Sequence, residues 1–216
     1  MSPKESRVLA VTAVLAMAFG LSACVPVAAP PTTTTTTTPI NGVSATITVG
    51  DNPNGVAITP DGTKAYVTNG VSSTVSVINT ATNTLSTTIT GLRAFYVAIT
   101  PDGTKAYVTT GSDDTVSVIK TATEALSATI AVGDNPKGVA ITPDGTKAYV
   151  TNQQGDTVSV INTATGLVSA TIAVGDNPHG VAITPDGTKA YVTNYTDATV
   201  SVIDTATNTG SAPIAG

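Results

Sequence analysis

Tryptophan is absent from these 216 residues, and cysteine and histidine occur once each, as Cys24 and His179. A lone cysteine excludes an intrachain disulfide, and one histidine without a second imidazole or thiol offers no nitrogen and sulfur set for zinc. Charge is scarce as well. Charged residues make up 11% of the chain, and 14 acidic against 9 basic side chains give a formal net charge of -5. No basic cluster offsets that sign, so general binding to nucleic-acid phosphates is not expected. No glycine-rich phosphate loop leads from a strand into a helix, and helical periodicity is missing throughout. The one long apolar run, Val8 to Gly20, is too short to cross a bilayer and has the length of a secretory hydrophobic segment.

Lys4 and Arg7 precede that run, and Leu21, Ser22, Ala23 and Cys24 follow it. This ending resembles the bacterial lipobox, in which the cysteine is lipidated and the chain is cut just before it. The resemblance implies a signal peptide at 1–23, a lipid anchor on Cys24, and a place in the cell envelope facing the extracytoplasmic side. Residues 24–42 then carry Pro30, Pro31, a threonine run from Thr32 to Thr38, and Pro39. Nothing in that stretch can pack a core. Proline and β-branched threonine hold it extended at about 3 Å per residue, so Val25 to Asn41 spans up to ~50 Å as a disordered stalk.

Residues 43–216 hold a cassette that occurs four times. Its centre reads GVAITPDGTKAYVTN from Gly55, from Gly138 and from Gly180, and YVAITPDGTKAYVTT from Tyr96. A period near forty residues marks a unit that buries its faces only by stacking on copies of itself. In the third copy, 138–142 reads as a strand. Pro143, Asp144 and Gly145 form a turn, and Lys147 to Asn152 is a second strand. Thr157 to Ile161 and Leu167 to Ile172 complete four antiparallel strands. Such units are blades of an all-β propeller, here of four blades. Tyr66, Tyr107, Tyr149 and Tyr191 recur at one position and are expected to wedge between blades in place of the missing tryptophan.

AYVTN at 65–69, 148–152 and 190–194, with TPDG before it and VSVI after it, resembles the YVTN-family β-propeller repeat. That resemblance implies a secreted or surface propeller, and related propellers include binding proteins, lactonase-like enzymes and redox enzymes. A fold of this kind does not fix an activity.

Fourth-type strands occur five times if both termini are included. Pro213 interrupts the C-terminal copy, and proline lacks the ladder donor. The expectation is therefore that Ser44 to Val49 closes the last blade, with Ser211 to Gly216 outside or barely paired. A closed monomeric ring is preferred to an eight-bladed ring made from two chains.

Turns between first and second strands are TPDGTK in every copy. Differences gather in the loops between second and third strands and in the crossovers between blades, which share one rim. Copy two departs most, placing Arg93, Phe95 and Tyr96 where the others carry an Asn-Pro turn and a glycine. These three, with Lys137, His179 and Tyr195, are the candidate contacts for a partner, because arginine and aromatics anchor interfaces. The partner is read as a protein or an envelope glycan. No catalytic residue, metal or cofactor is assigned. His179 is alone, and Asp61, Asp102, Asp144 and Asp186 are turn residues. Rim carboxylates Asp113, Asp114, Asp156 and Asp197 give little support for calcium. The preferred reading is a non-catalytic binding or scaffold module. The alternatives are a lactonase-like or other hydrolytic enzyme, and a structural spacer.

Overall fold

The structure is a computed structural model that describes residues 42–210 and the backbone of Ile214–Ala215. The chain divides into a unit ending at Gly42 and a unit of residues 43–216. The signal peptide, Cys24 and nearly all of the stalk lie outside the described residues.

Four four-stranded antiparallel sheets follow one another along the chain, each a blade. Blade 1 is β1 (Pro53–Ile58), β2 (Lys64–Asn69), β3 (Thr74–Asn79) and β4 (Thr84–Thr90). Blade 2 is β5 (Ala94–Ile99), β6 (Lys105–Thr110), β7 (Thr115–Lys120) and β8 (Ala125–Ala131). Blade 3 is β9 (Pro136–Ile141), β10 (Lys147–Asn152), β11 (Thr157–Asn162) and β12 (Leu167–Ala173). Blade 4 is β13 (Pro178–Ile183), β14 (Lys189–Asn194), β15 (Thr199–Asp204), and two short outer pieces, β16 (Thr209–Gly210) and β17 (Ile214–Ala215). Between β6 and β7 the only helical turn among the described residues runs from Gly111 to Asp113.

The repeated words of the sequence each perform a physical task. In the TPDGT turn, glycine takes a left-handed φ of 71 to 73° in all four copies, which a side chain would resist. The aspartate accepts hydrogen bonds from the threonine before it and the threonine after it, as Asp144 does from Thr142 Oγ1 and from the Thr146 amide. Those bonds hold the carboxyls of Asp61, Asp102, Asp144 and Asp186 below the usual range, and all four are exposed. They are turn residues, as the sequence suggests.

In AYVTN the tyrosine fills the seam to the next blade. Tyr66, Tyr107 and Tyr149 are fully buried. The valine is fully buried in blades 2 to 4, as Val108, Val150 and Val192, and half-buried in blade 1, as Val67. The asparagine donates from Nδ2 to the hydroxyls of the next strand, as Asn152 does to Thr157 and Ser159 at 3.0 Å each. Its Oδ1 finds no protein partner in Asn69, Asn152 or Asn194. The same vacancy in three blades makes it a property of the repeat rather than of a site. Blade 2 has Thr110 instead, which donates to the Thr115 carbonyl at 2.9 Å.

The threonine of the motif spans the seam. Thr68, Thr109 and Thr151 donate from Oγ1 to the main-chain oxygens of Phe95, Lys137 and His179 at 2.7, 2.7 and 2.8 Å. On the opposite rim Lys64, Lys105 and Lys147 donate from Nζ to the carbonyls of Thr121, Thr163 and Thr205. Each seam encloses its own apolar cluster. Tyr149, Val158 and Val160 of blade 3, for example, meet Ala190, Val192 and Ile203 of blade 4.

The ends of the array correct two expectations. Residues 43–50 form no strand, so Ser44–Val49 does not close the last blade. Instead the C-terminal segment supplies its outer strand, with Ile203↔Gly210 and Asp204↔Thr209 in one stretch and Thr199↔Ala215 and Val200↔Ile214 in another. A hairpin to the adjacent segment closes a short loop, whereas the N-terminal strand would have to reach around the whole array.

The ring is also open. Inner strands pack in sequence, β1 on β5, β5 on β9 and β9 on β13, with no comparable packing of β13 on β1. Tyr191 is 40% exposed where its three counterparts are at most 1% exposed, and Val56 and Ile58 on blade 1 are 66% and 60% exposed. Rings of six to eight blades turn by roughly 45–60° per blade, so four blades at such angles sweep roughly a half to two-thirds of a circle.

Candidate functional site

The variable loops do share a rim. A cleft of about 670 Å³ opens there, walled by three layers of loop. Gly70, Val71 and Ser73 come from the β2–β3 loop, Gly111, Ser112 and Asp114 from the β6–β7 loop, and Gln154 from the β10–β11 loop. The crossovers contribute Arg93 and Phe95 before or within β5, and Asn135 and Lys137 at the start of β9.

The departure of copy two shapes this cleft. Blades 1, 3 and 4 begin with an asparagine in the left-handed region, Asn52, Asn135 and Asn177, at φ 51 to 59°. In copy two the equivalent position is Arg93, and the left-handed residue is Gly91 at φ 81°. Arginine is freed from the turn and projects over the β6–β7 loop, where its Nη1 donates to Ser112 Oγ at 3.4 Å. Phe95 lies against Gly111. A Cβ added there would come within 2.6 Å of the Phe95 ring, so glycine is what lets the ring seat. The Lys137 ammonium sits 3.4 Å from the centre of the Phe95 ring, a cation–π contact. Burial pushes the lysine's pKa down. The cleft thus holds two cations and one aromatic face opposite a single carboxylate, Asp114.

Among the sequence-predicted contacts, Arg93, Phe95 and Lys137 converge in this cleft. Tyr96 and His179 form a separate pair, their rings edge-to-face at 5.9 Å between centroids. Tyr195 stands apart and 78% exposed, with no aromatic neighbour. Val71 and Asn135 belong to the cleft and escaped the sequence reading, and Asp114, read there only as a weak calcium candidate, belongs to it too. Asn135 and Asp114 sit at recurring positions that look structural, and Asp114 does cap the Asn135 amide at 2.8 Å. Asp156 and Asp197 cap the amides of Asn177 and Asp176 in the same way. Two of the four rim carboxylates, Asp114 and Asp156, therefore spend an oxygen on the crossover to the next blade, and Asp197 spends one on the crossover that enters its own. Among the described residues no three His, Cys, Asp or Glu side chains gather as a metal set. An amide chain, Asn135 to Gln153 at 3.1 Å and Gln153 to Asn177 at 2.7 Å, continues around the rim from the cleft.

Four-stranded antiparallel blades joined by tyrosine wedges define a β-propeller. The family described as lactonase, 7-bladed beta-propeller, matches residues 32–173, and the chain belongs to that family. Two solved structures are similar. The first is hydrazine synthase of Kuenenia stuttgartiensis, with 26% identity and a TM-score of 0.72 over 81% of this chain and 53% of that one. The second is a functionally unknown protein from Desulfotomaculum acetoxidans DSM 771, with 24% identity and a TM-score of 0.66 over 74% of this chain and 54% of that one. The chain thus spans about half the length of both. No curated protein matches it.

Proposed function

We propose that this chain is a non-catalytic binding or scaffold module of the cell envelope, tethered through a lipid on Cys24 and contacting a protein or an envelope glycan at its variable rim. The observation that carries this reading is the convergence of Arg93, Phe95 and Lys137, three side chains found in no other copy at their positions, in one cleft. Two cations in one cleft, Lys137 over the Phe95 ring and Arg93 beside it in the lining, in a protein of net charge -5, favour a ligand bearing carboxylate or other acidic groups. Lipid tethering and the extracytoplasmic address rest on the residues from Lys4 to Cys24.

The test is capture from envelope extracts by the full chain, beside the variant Arg93→Asn, Phe95→Lys, Tyr96→Gly, which gives copy two the residues of copy three. The natural chain retains a partner at least ~10-fold better than the variant, in keeping with the loss of one anchor cluster. Equal retention by two equally folded proteins discards the cleft. Anchoring is read in the same cells, where Cys24→Ser moves the protein from the membrane to the soluble fraction. Continued membrane retention of that variant removes the tether.

Membership of the lactonase family favours a second reading, hydrolysis of a lactone at the same rim. Its requirement is a base beside the site of attack, and the cleft offers only Asp114, already bonded to the Asn135 amide. Turnover of aldonolactones by the natural chain, abolished by Asp114→Asn, would replace the binding reading with this one.

A further inference from the structure

The two exposed ends of the array are the two halves of a seam that the chain already builds three times. Each internal seam uses the same parts, and each part is present but unmatched at an end. On the leading side of each seam, a TPDG proline lies against the turn glycine of the next blade. Pro60, Pro101 and Pro143 lie 3.3 to 3.5 Å from where a Cβ on Gly103, Gly145 and Gly187 would stand. The space over Gly62 is empty, and Pro185, at the other end of the array, has no such glycine in front of it.

The polar parts behave alike. Lys64 reaches the Thr121 carbonyl and Glu124 across the first seam, and Lys147 with Tyr149 reaches Thr205 and Asn208 across the third. Lys189 and Tyr191 hold the same places on blade 4, and neither the ammonium nor the phenol hydroxyl has a hydrogen bond among the described residues. The matching acceptors, the Thr80 carbonyl and Asn83, are likewise unused on blade 1. Gly55 and Gly138 are pressed against the crossover of the next blade, with Phe95 O and His179 O 3.1 and 2.5 Å from an added Cβ, whereas Gly180 meets nothing beyond its own Thr193. The apolar parts complete the set. Val97 and Ile99 are covered by blade 1, while Val56 and Ile58 lie bare.

From these matched vacancies we infer that a second copy of this chain docks head to tail, blade 4 of each copy on blade 1 of the other, to close an eight-bladed ring. The occupant is specified because the exposed surfaces are complementary in five independent parts, all repeat-encoded and all seen working inside the chain. Head-to-tail contacts close when the rotation per unit divides the circle, and otherwise grow as filaments. At about 45° per blade each arc sweeps half a circle and two copies meet that condition, and eight blades lie within the range propellers adopt. In such a ring Lys189 and Tyr191 donate to Thr80 and Asn83 of the other copy, and Pro185 covers its Gly62.

Native mass spectrometry of the full chain, released from mild detergent, reads the assembly directly. The expected species carries twice the chain mass. Ile58→Asp places a carboxylate on a side chain that is exposed in the single chain and buried in the ring. It leaves the circular dichroism unchanged and weakens the dimer ~100-fold or more, as an unpaired buried charge requires. A second variant, Asn83→Glu, reproduces across the copies the pairing that Lys64 makes with Glu124 at 2.8 Å. Carbodiimide treatment of that variant then joins Lys189 of one chain to position 83 of another, in a cross-link identified by peptide mapping. A single-chain mass for the natural protein overturns the inference and assigns the open faces to blades from another source. A dimer indifferent to Ile58→Asp, or a ladder of larger species, overturns it too.

Discussion

Tyr149→Ala lowers the stability of the chain by about 3–5 kcal/mol, while Tyr191→Ala, the same change one repeat later, costs under ~1 kcal/mol. Chemical denaturation of the two variants in an Ile58→Asp background, which holds the protein as single chains, makes the comparison. Tyr149 is fully buried between blades 3 and 4, against Ala190, Val192 and Ile203. Its hydroxyl donates to Asn208 Oδ1 at 2.8 Å, and burial with the nearby carboxylates of Asp204 and Asp144 pushes its pKa up to about 12, so it stays a neutral donor. Truncation removes the ring, leaves a cavity in the seam and deletes the hydroxyl's bond to Asn208. Tyr191 has the same neighbours on its own blade but nothing in front of it. Equal losses for the two would mean that blade 4 already meets another blade within one chain, and would restore the closed four-bladed ring.

The difference between those two tyrosines also shows what the sequence encodes. A repeat specifies its own strands and the chemistry of both its faces, so blade count, the turn glycines and the wedge tyrosines were all legible from the spacing of Pro60, Pro101, Pro143 and Pro185. It does not specify whether the last face finds the first. That depends on the angle accumulated over three seams, each set by contacts such as Thr151 on the His179 carbonyl, and no single residue records the sum. The closing strand was misread for a related reason. Ser44–Val49 carries the better strand pattern, yet the C-terminal segment is tethered next to β15, and proximity along the chain outweighs that pattern.

The rim was legible to the extent that copies differ. Arg93, Phe95 and Lys137 stood out because their counterparts are other residue types, and they meet. Tyr195 stood out equally and does not join them, because its loop belongs to the last blade of an open arc. Asn135 could not be singled out, since it recurs as Asn52 and Asn177, and a residue that serves the repeat and a residue that lines a cleft look alike when they are the same residue.

Gly138→Ala carries the second large effect, a destabilisation of about 1–3 kcal/mol by overpacking at the seam between blades 3 and 4. An ideal Cβ on Gly138 would stand 2.5 Å from the His179 carbonyl oxygen and 3.2 Å from the Val181 amide nitrogen, both main-chain atoms that cannot rotate away. Relief requires the blades to part, which stretches the 2.8 Å bond from Thr151 to that same carbonyl. Copy two sets the upper limit on the cost. Tyr96 holds the equivalent place with a full side chain, its amide bonded to Thr109 Oγ1 at 3.0 Å, and Thr109 still reaches Lys137 O across the next seam. A seam built around a side chain is therefore possible, and alanine at 138 is a strain rather than a block. Gly180→Ala is the matched control. Its Cβ meets only Thr193 Oγ1, at 3.3 Å, so the single chain loses less than ~0.5 kcal/mol, as expected of a surface change. In a closed pair of copies the same methyl faces the crossover carbonyl of Asn54 from the other chain. Denaturation in the Ile58→Asp background then separates Gly138 from Gly180, and native mass spectrometry of Gly180→Ala alone shows a weakened dimer. Identical denaturation curves for the two alanine variants would mean that the seam between blades 3 and 4 opens as freely as the one around Tyr96.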